Sequence, residues 1–129
     1  MKKFSTLPGK VKMITRMLLL ACVIMVMHSC KKEKTPVGSF IFYTFLESNK
    51  YDAIKIFVDG KESGTITLSH IERPDCGTPT GINVVNVKLP AGKHSWYAKQ
   101  FKNGKEIDEW TERDDTIKDG ECTFIKLTE

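Results

Sequence analysis

From Val37 onward, apolar residues recur at every second position in short runs, and the runs are separated by glycine, proline, asparagine and aspartate. A period of two marks β-strands, and it leaves no room for a helix of period 3.6. The first strand is read over 37–47. Phe40, Phe42 and Leu46 point one way and Ile41, Tyr43 and Phe45 the other, so both faces should be covered. The second is 51–59, with Ile54, Ile56 and Val58 on one face. Residues 59–64 read as a hairpin loop because glycine tolerates positive φ. The third strand is then 65–69, and a long Pro- and Gly-rich loop fills 70–81. The fourth is 82–89, with Val85, Val87 and Leu89 inward, and Pro90-Ala91-Gly92 turns the chain. The fifth is 93–101. Asn103-Gly104 is a strong hairpin signal, since a type I′ turn wants positive φ at both positions. The sixth lies within 106–117 and is the least regular. The seventh is 121–128, with Thr123, Ile125 and Leu127 on one face. Seven short strands with turns about every 8–12 residues predict an all-β chain folded as a seven-stranded β-sandwich.

A different pattern precedes this domain. A basic stretch ends at Arg16, eleven apolar residues run from Met17 to Met27, and His28-Ser29-Cys30 leads into Lys31-Lys32-Glu33-Lys34. An apolar run of eleven is about half of the roughly 20 residues a membrane-spanning helix needs. A basic flank, a short apolar core and a small residue before a cut site mark a secretory signal. Val26-Met27-His28-Ser29-Cys30 resembles the lipobox of bacterial lipoproteins, in which cleavage exposes a cysteine that takes up lipid. The expected organisation is a signal peptide over 1–29, lipidated Cys30 with a polar tether over 30–36, and the sandwich over 37–129. The expected location is the bacterial cell envelope, at the outer membrane, facing the periplasm or the surface, with the membrane as a partner through the lipid on Cys30.

The leader also accounts for the chain's basic character. The formal charge is +4, and the leader supplies Lys2, Lys3, Lys10, Lys12 and Arg16 with no acid. Taking those five charges from +4 leaves −1 on the exported part, so nothing here points to nucleic acid.

Ile56-Phe-Val-Asp-Gly60, Pro74-Asp-Cys-Gly77, Leu89-Pro-Ala-Gly-Lys-His94 and Gly120-Glu-Cys-Thr-Phe-Ile-Lys-Leu127 together resemble small lipoproteins of Bacteroidota. Those carry immunoglobulin-like sandwiches similar to PEGA and carboxypeptidase-regulatory-like modules. The resemblance implies an immunoglobulin-like fold and implies no activity.

Four cysteines are present. Cys22 leaves with the signal and Cys30 is the lipid site, so Cys76 and Cys122 remain as a disulfide pair in an oxidising compartment. Their alternatives are free thiols, or metal ligation with His70 or His94, for which the spacing gives no support. The acids between Glu106 and Glu121 lack the EF-hand ladder and read as a solvated strand and turn, with calcium as the rival reading. Ser69 and His70 fall on opposite faces of a strand, which is poor geometry for a nucleophile and its base. No catalytic set can be assembled and no cofactor is expected, so an enzyme is not expected.

Aromatic side chains remain as the candidates for binding: Tyr97 first, then Trp96 and Trp110. Alternation puts His94, Trp96 and Ala98 on one face of the fifth strand and Ser95, Tyr97 and Lys99 on the other. Trp96 is expected inside and Tyr97 outside. The expected function is a non-catalytic module that binds an envelope protein or glycan. A purely structural accessory is the alternative, and a small hydrolase the remote one.

Overall fold

The computed structural model describes residues 33–129. The readings of a signal peptide over 1–29 and of lipid on Cys30 lie outside the described residues. The fold concerns one compact unit, residues 35–129. It consists of β1 (Val37–Thr44), β2 (Ala53–Val58), β3 (Lys61–Ile66), β4 (Val84–Pro90), β5 (Gly92–Lys102), β6 (Lys105–Ile117) and β7 (Cys122–Leu127), with no helix among the described residues. A three-stranded sheet has the order β4-β1-β7 and a four-stranded sheet the order β3-β2-β5-β6. The all-β, seven-stranded, sandwich-like prediction is therefore met.

Alternation decides which residues the two sheets share. Phe40 and Phe42 of β1, Ile54, Ile56 and Val58 of β2, Val85 of β4, Trp96 and Ala98 of β5, and Ile125 and Leu127 of β7 join one buried cluster. Each successive side chain in a strand points to the opposite face, so one register error would turn this whole set outward. The pairing of β1 with β4 is antiparallel, Phe42 opposite Val85. Its pairing with β7 is parallel, Phe42 opposite Ile125. The first and last strands are thus direct neighbours.

The strand directions define two ends. The chain enters β1 at Val37, beside the β2–β3, β4–β5 and β6–β7 turns. The opposite end carries the β1–β2 connection, the long β3–β4 connection and the Asn103-Gly104 turn. Two hairpin turns have the backbone their sequences call for: Asp59 and Gly60 have φ of 49° and 75°, Asn103 and Gly104 φ of 51° and 72°.

The first of these turns corrects the third strand. The sequence suggests a loop over 59–64 and a strand over 65–69. The turn is instead complete in Asp59-Gly60, and β3 begins at once with Lys61. Polar Lys61-Glu62-Ser63 disguises a solvent-facing edge strand. Gly64 looks like a loop residue but is a packing residue, since a Cβ there would lie 2.8 Å from the Val85 side chain of the other sheet. β6 is likewise longer than its irregular pattern suggests, at thirteen residues. Its register against β5 shifts between Trp96 and Ala98 and again between Gln100 and Phe101, which breaks the period of two.

β1 is buried on both faces, as its double-sided pattern predicts. Ile41 and Tyr43 form a second cluster with Val84, against which Cys122 and Phe124 pack. What covers it is the connection over 67–83. This strap leaves β3 at the far end, descends the outer face of the three-stranded sheet, and is bonded by Cys76 to Cys122 at the start of β7. It then climbs back to β4. The Thr80 hydroxyl accepts from the Asn86 amide at 2.9 Å and donates to the Asn86 carbonyl at 3.0 Å, pinning the ascending half to β4. The Asn86 side-chain amide donates to the Thr78 carbonyl at 2.7 Å. Arg73 lies 4.4 Å above the Phe124 ring.

The Cys76–Cys122 bond closes a sequence separation of 46 residues, which in the chain-entropy model is worth roughly 4 kcal/mol. Replacing both cysteines by alanine should lower unfolding stability by about 2–4 kcal/mol in urea titrations. It should also make the bond after Glu72 more readily cut by a glutamate-specific protease than in the disulfide-bonded protein. Unchanged stability and an uncut strap would show that the strap is held without the disulfide.

Candidate functional site

The aromatic candidates separate in space. Trp96 is 3 % exposed. It stands edge-on to Phe42 at 5.4 Å, and its indole N–H donates to Asp115 Oδ2 at 2.7 Å. The face assignment of β5 is therefore as the alternation predicts, and Trp96 itself presents no surface to a partner. Trp110 is half-buried against the main core, and its indole N–H donates to the Thr128 carbonyl at 2.8 Å. It ties β6 to the C-terminal end.

Tyr97 lies on the outer face of the four-stranded sheet and is half-buried. Directly opposite on β2 is Phe57, and the two rings are stacked, 4.6 Å between centroids and 4° from parallel. One face of the Tyr97 ring is therefore spent on Phe57. The sequence missed this partner, though a cross-strand aromatic pair was readable once β2 and β5 were recognised as neighbours. Lys55, 5.5 Å above the Phe101 ring, and the Lys99–Glu106 ion pair of 2.9 Å border the stack.

The acids of the 106–121 segment are not gathered. Glu106 pairs with Lys99, Asp114 with Lys93 at 2.8 Å, Asp115 accepts from Trp96, and Asp119 Oδ1 accepts from the Val37 amide at 3.1 Å. Alternation along β6 sends neighbours to opposite faces. No group of three or more His, Cys, Asp or Glu placed to hold a metal is found among the described residues. At the far end, the carboxylate of Asp52 accepts from the Asn103 amide at 2.6 Å and from Lys102, and these bonds hold it below the usual carboxylate range.

A groove of about 350 Å³ lies on the outer face of the three-stranded sheet near the entry of β1. The disulfide, Gly38, Ser39, Asn86, Lys88 and Glu121 line it. Its walls are largely backbone and small side chains. Gly38 is required there: a Cβ would run into the Lys118 carbonyl oxygen and the Ile117 side chain.

The far end carries four of the six exposed large apolar residues among the described residues, Val37 and Ile107 being the other two. Phe45, Leu68, Ile71 and Ile82 are exposed, Ile71 at 94 %. Three backbone bonds bring their segments together. The His70 amide donates to the Thr44 carbonyl at 2.9 Å, and the Thr67 and Leu68 amides donate to the Ile82 carbonyl at 2.7 and 3.0 Å. Single exposed apolar residues are ordinary, whereas several large ones carried by neighbouring loops on a rigid scaffold make this end the candidate surface. The sequence concealed this group because its members lie in three separate segments, with Phe45, Leu68 and Ile82 read as strand ends and Ile71 as loop. A scan of family models, a search of curated proteins and a search of solved structures each return no match to this chain.

The stacked pair is the testable part of the outer face. Tyr97→Ala, Phe57→Ala and the double variant should give a coupling of about 0.5–1.5 kcal/mol in a urea double-mutant cycle. Additive losses would mean that the two rings contribute independently.

Proposed function

We propose that this chain is an envelope lipoprotein, held in the outer membrane by lipid on Cys30, whose sandwich is a non-catalytic binding module for another protein. The exposed cluster of Phe45, Leu68, Ile71 and Ile82 carries this reading. It lies at the end of the sandwich opposite the point where the chain enters, so attachment and binding occupy different ends. A glycan is the less favoured ligand. Sugars are gripped by open aromatic faces, and the outward aromatic ring of β5 gives one face to its neighbour. The finer immunoglobulin-like likeness is proposed at the level of two facing sheets. Antibody constant domains order their strands A-B-E-D and C-F-G, whereas here the first strand lies between the fourth and the seventh.

Two outcomes are expected. In a lipoprotein-competent bacterium the wild-type chain should partition into detergent and lack residues 1–29, and Cys30→Ser should do neither. Identical behaviour of both forms would remove the anchor. A photoreactive residue at position 71 or 82 should give one discrete adduct with an envelope protein, while the same residue at position 55 gives none. Ile71→Asp with Ile82→Asp should abolish that partner's binding without moving the unfolding midpoint. Undiminished binding by that variant would leave the structural accessory role as the better reading.

A further inference from the structure

His94, weighed in the sequence only as a rival metal ligand, has other partners in the structure. It is the third residue of β5, with a side chain only 14 % exposed. Its ring stands at right angles to Phe40 of β1, with centroids 6.3 Å apart. Nδ1 is 2.7 Å from Asp59 Oδ2, in the β2–β3 turn. Nε2 is 2.8 Å from the Pro90 carbonyl oxygen, at the end of β4. A carbonyl oxygen only accepts, and so does an ionised carboxylate. A neutral imidazole carries one N–H and satisfies one of them; the imidazolium carries two and satisfies both.

We propose that His94 is a proton-operated clasp, which as the imidazolium holds the β2–β3 turn and the β4–β5 turn together at the end where the chain enters the sandwich. The surroundings favour the charge. Asp59 is the nearest group, and its other oxygen accepts from the Ser95 amide at 3.1 Å, which fixes the carboxylate beside the ring. Lys61, at the start of β3, acts on Asp59 and helps to keep that carboxylate ionised. Asp115 of β6 is the register partner of His94 but is engaged by Trp96. Lys93 and Asp114 are paired to each other. Phe40 contributes no charge and a partly apolar wall. The hydrogen bond to Asp59 raises the His94 pKa above its ordinary value, with burial opposing and the Pro90 carbonyl and the Asp59 charge adding to it. Asp59 is held below its ordinary value, first by the bond from His94.

The consequence has a direction. His94 has the higher proton affinity in the folded state. Its contribution is complete below the ordinary imidazole value of about 6.5 and fades as pH rises through the raised folded value. Asp59 acts in the opposite sense: its contribution is complete above about 3.9 and fades as pH falls through its lowered value. The clasp is therefore fully made in mildly acidic solution. When the ring loses a proton, one bond must go. The carboxylate is the stronger acceptor, so the bond to Pro90 is the one released. Pro90 precedes Ala91, whose amide donates to the Pro36 carbonyl at 2.8 Å. Loss of the proton thus loosens the turn that grips the segment leading into β1.

Nitrogen-detected NMR of the full chain in detergent tests this across pH 5–9. Both ring nitrogens of His94 should be protonated at pH 6, the ring should titrate above 6.5, and the Ala91 amide should shift with the same midpoint. In His94→Gln the Ala91 shift should vanish, and the fall in unfolding midpoint from pH 6 to pH 9 should be smaller than in the wild type. Titration of His94 at or below 6.5, or an Ala91 amide that ignores the ring, overturns the proposal, and both readings come from the wild-type protein even if the variant folds poorly.

Discussion

Everything in this domain is arranged around a strand that cannot tolerate water on either side. β1 hydrogen-bonds to β4 on one edge and to β7 on the other, so its own backbone is satisfied. Its side chains are buried from Gly38 to Thr44. Phe40 and Phe42 fill the space between the sheets; Ile41 and Tyr43 would lie bare on the outer face of a sheet only three strands wide. A sandwich of this size supplies no third layer, and an uncovered Ile41 and Tyr43 would each forfeit about 1.5–3 kcal/mol of burial. The strap, the disulfide and the contacts of Arg73, Thr80 and Asn86 are the means by which the chain builds that third layer from a loop.

The same solution shapes the surface. A strap that must start and finish at the far end, yet reach the opposite end to meet Cys122, exposes its shoulders. Leu68, Ile71 and Ile82 are those shoulders, and Phe45 joins them because the His70 amide is bonded to Thr44. The apolar far end is thus a by-product of covering β1, and the residue types placed there are what make it the surface proposed for binding. A loop needs no isoleucine at 94 % exposure to make its turn.

How much of this was legible follows from where the period of two survives. β1, β2, β4, β5 and β7 each turn one face to the main core, and the residues sharing that face were grouped correctly, with Val85 and Trp96 also assigned inward. β3 and β6 are the edges of the four-stranded sheet. Unlike β4 and β7, they are polar and exposed along most of their length, and bulges interrupt the count, so Lys61–Ile66 and Lys105–Ile117 were misplaced or blurred. The disulfide followed from cysteine number and compartment. The strap's path, the Phe57–Tyr97 stack and the far-end cluster did not, since each depends on which segments meet and not on what any one segment contains. The pairing of His94 was hidden for a related reason: its two partners, Asp59 and the Pro90 carbonyl, belong to two different turns.

The parallel pairing of β1 with β7 sets a timetable. The strand at the centre of the three-stranded sheet emerges first, and the neighbour that completes it lies in the last eight residues of the chain. A chain drawn N-terminus first through a pore would therefore travel with its central strand unsealed, and closure would be the final event. Contacts between distant parts of a sequence are slow to form, and a polypeptide that cannot finish folding early stays threadable. Loss of the final strand would leave β1 open along a whole edge, an invitation to pair with a neighbouring chain.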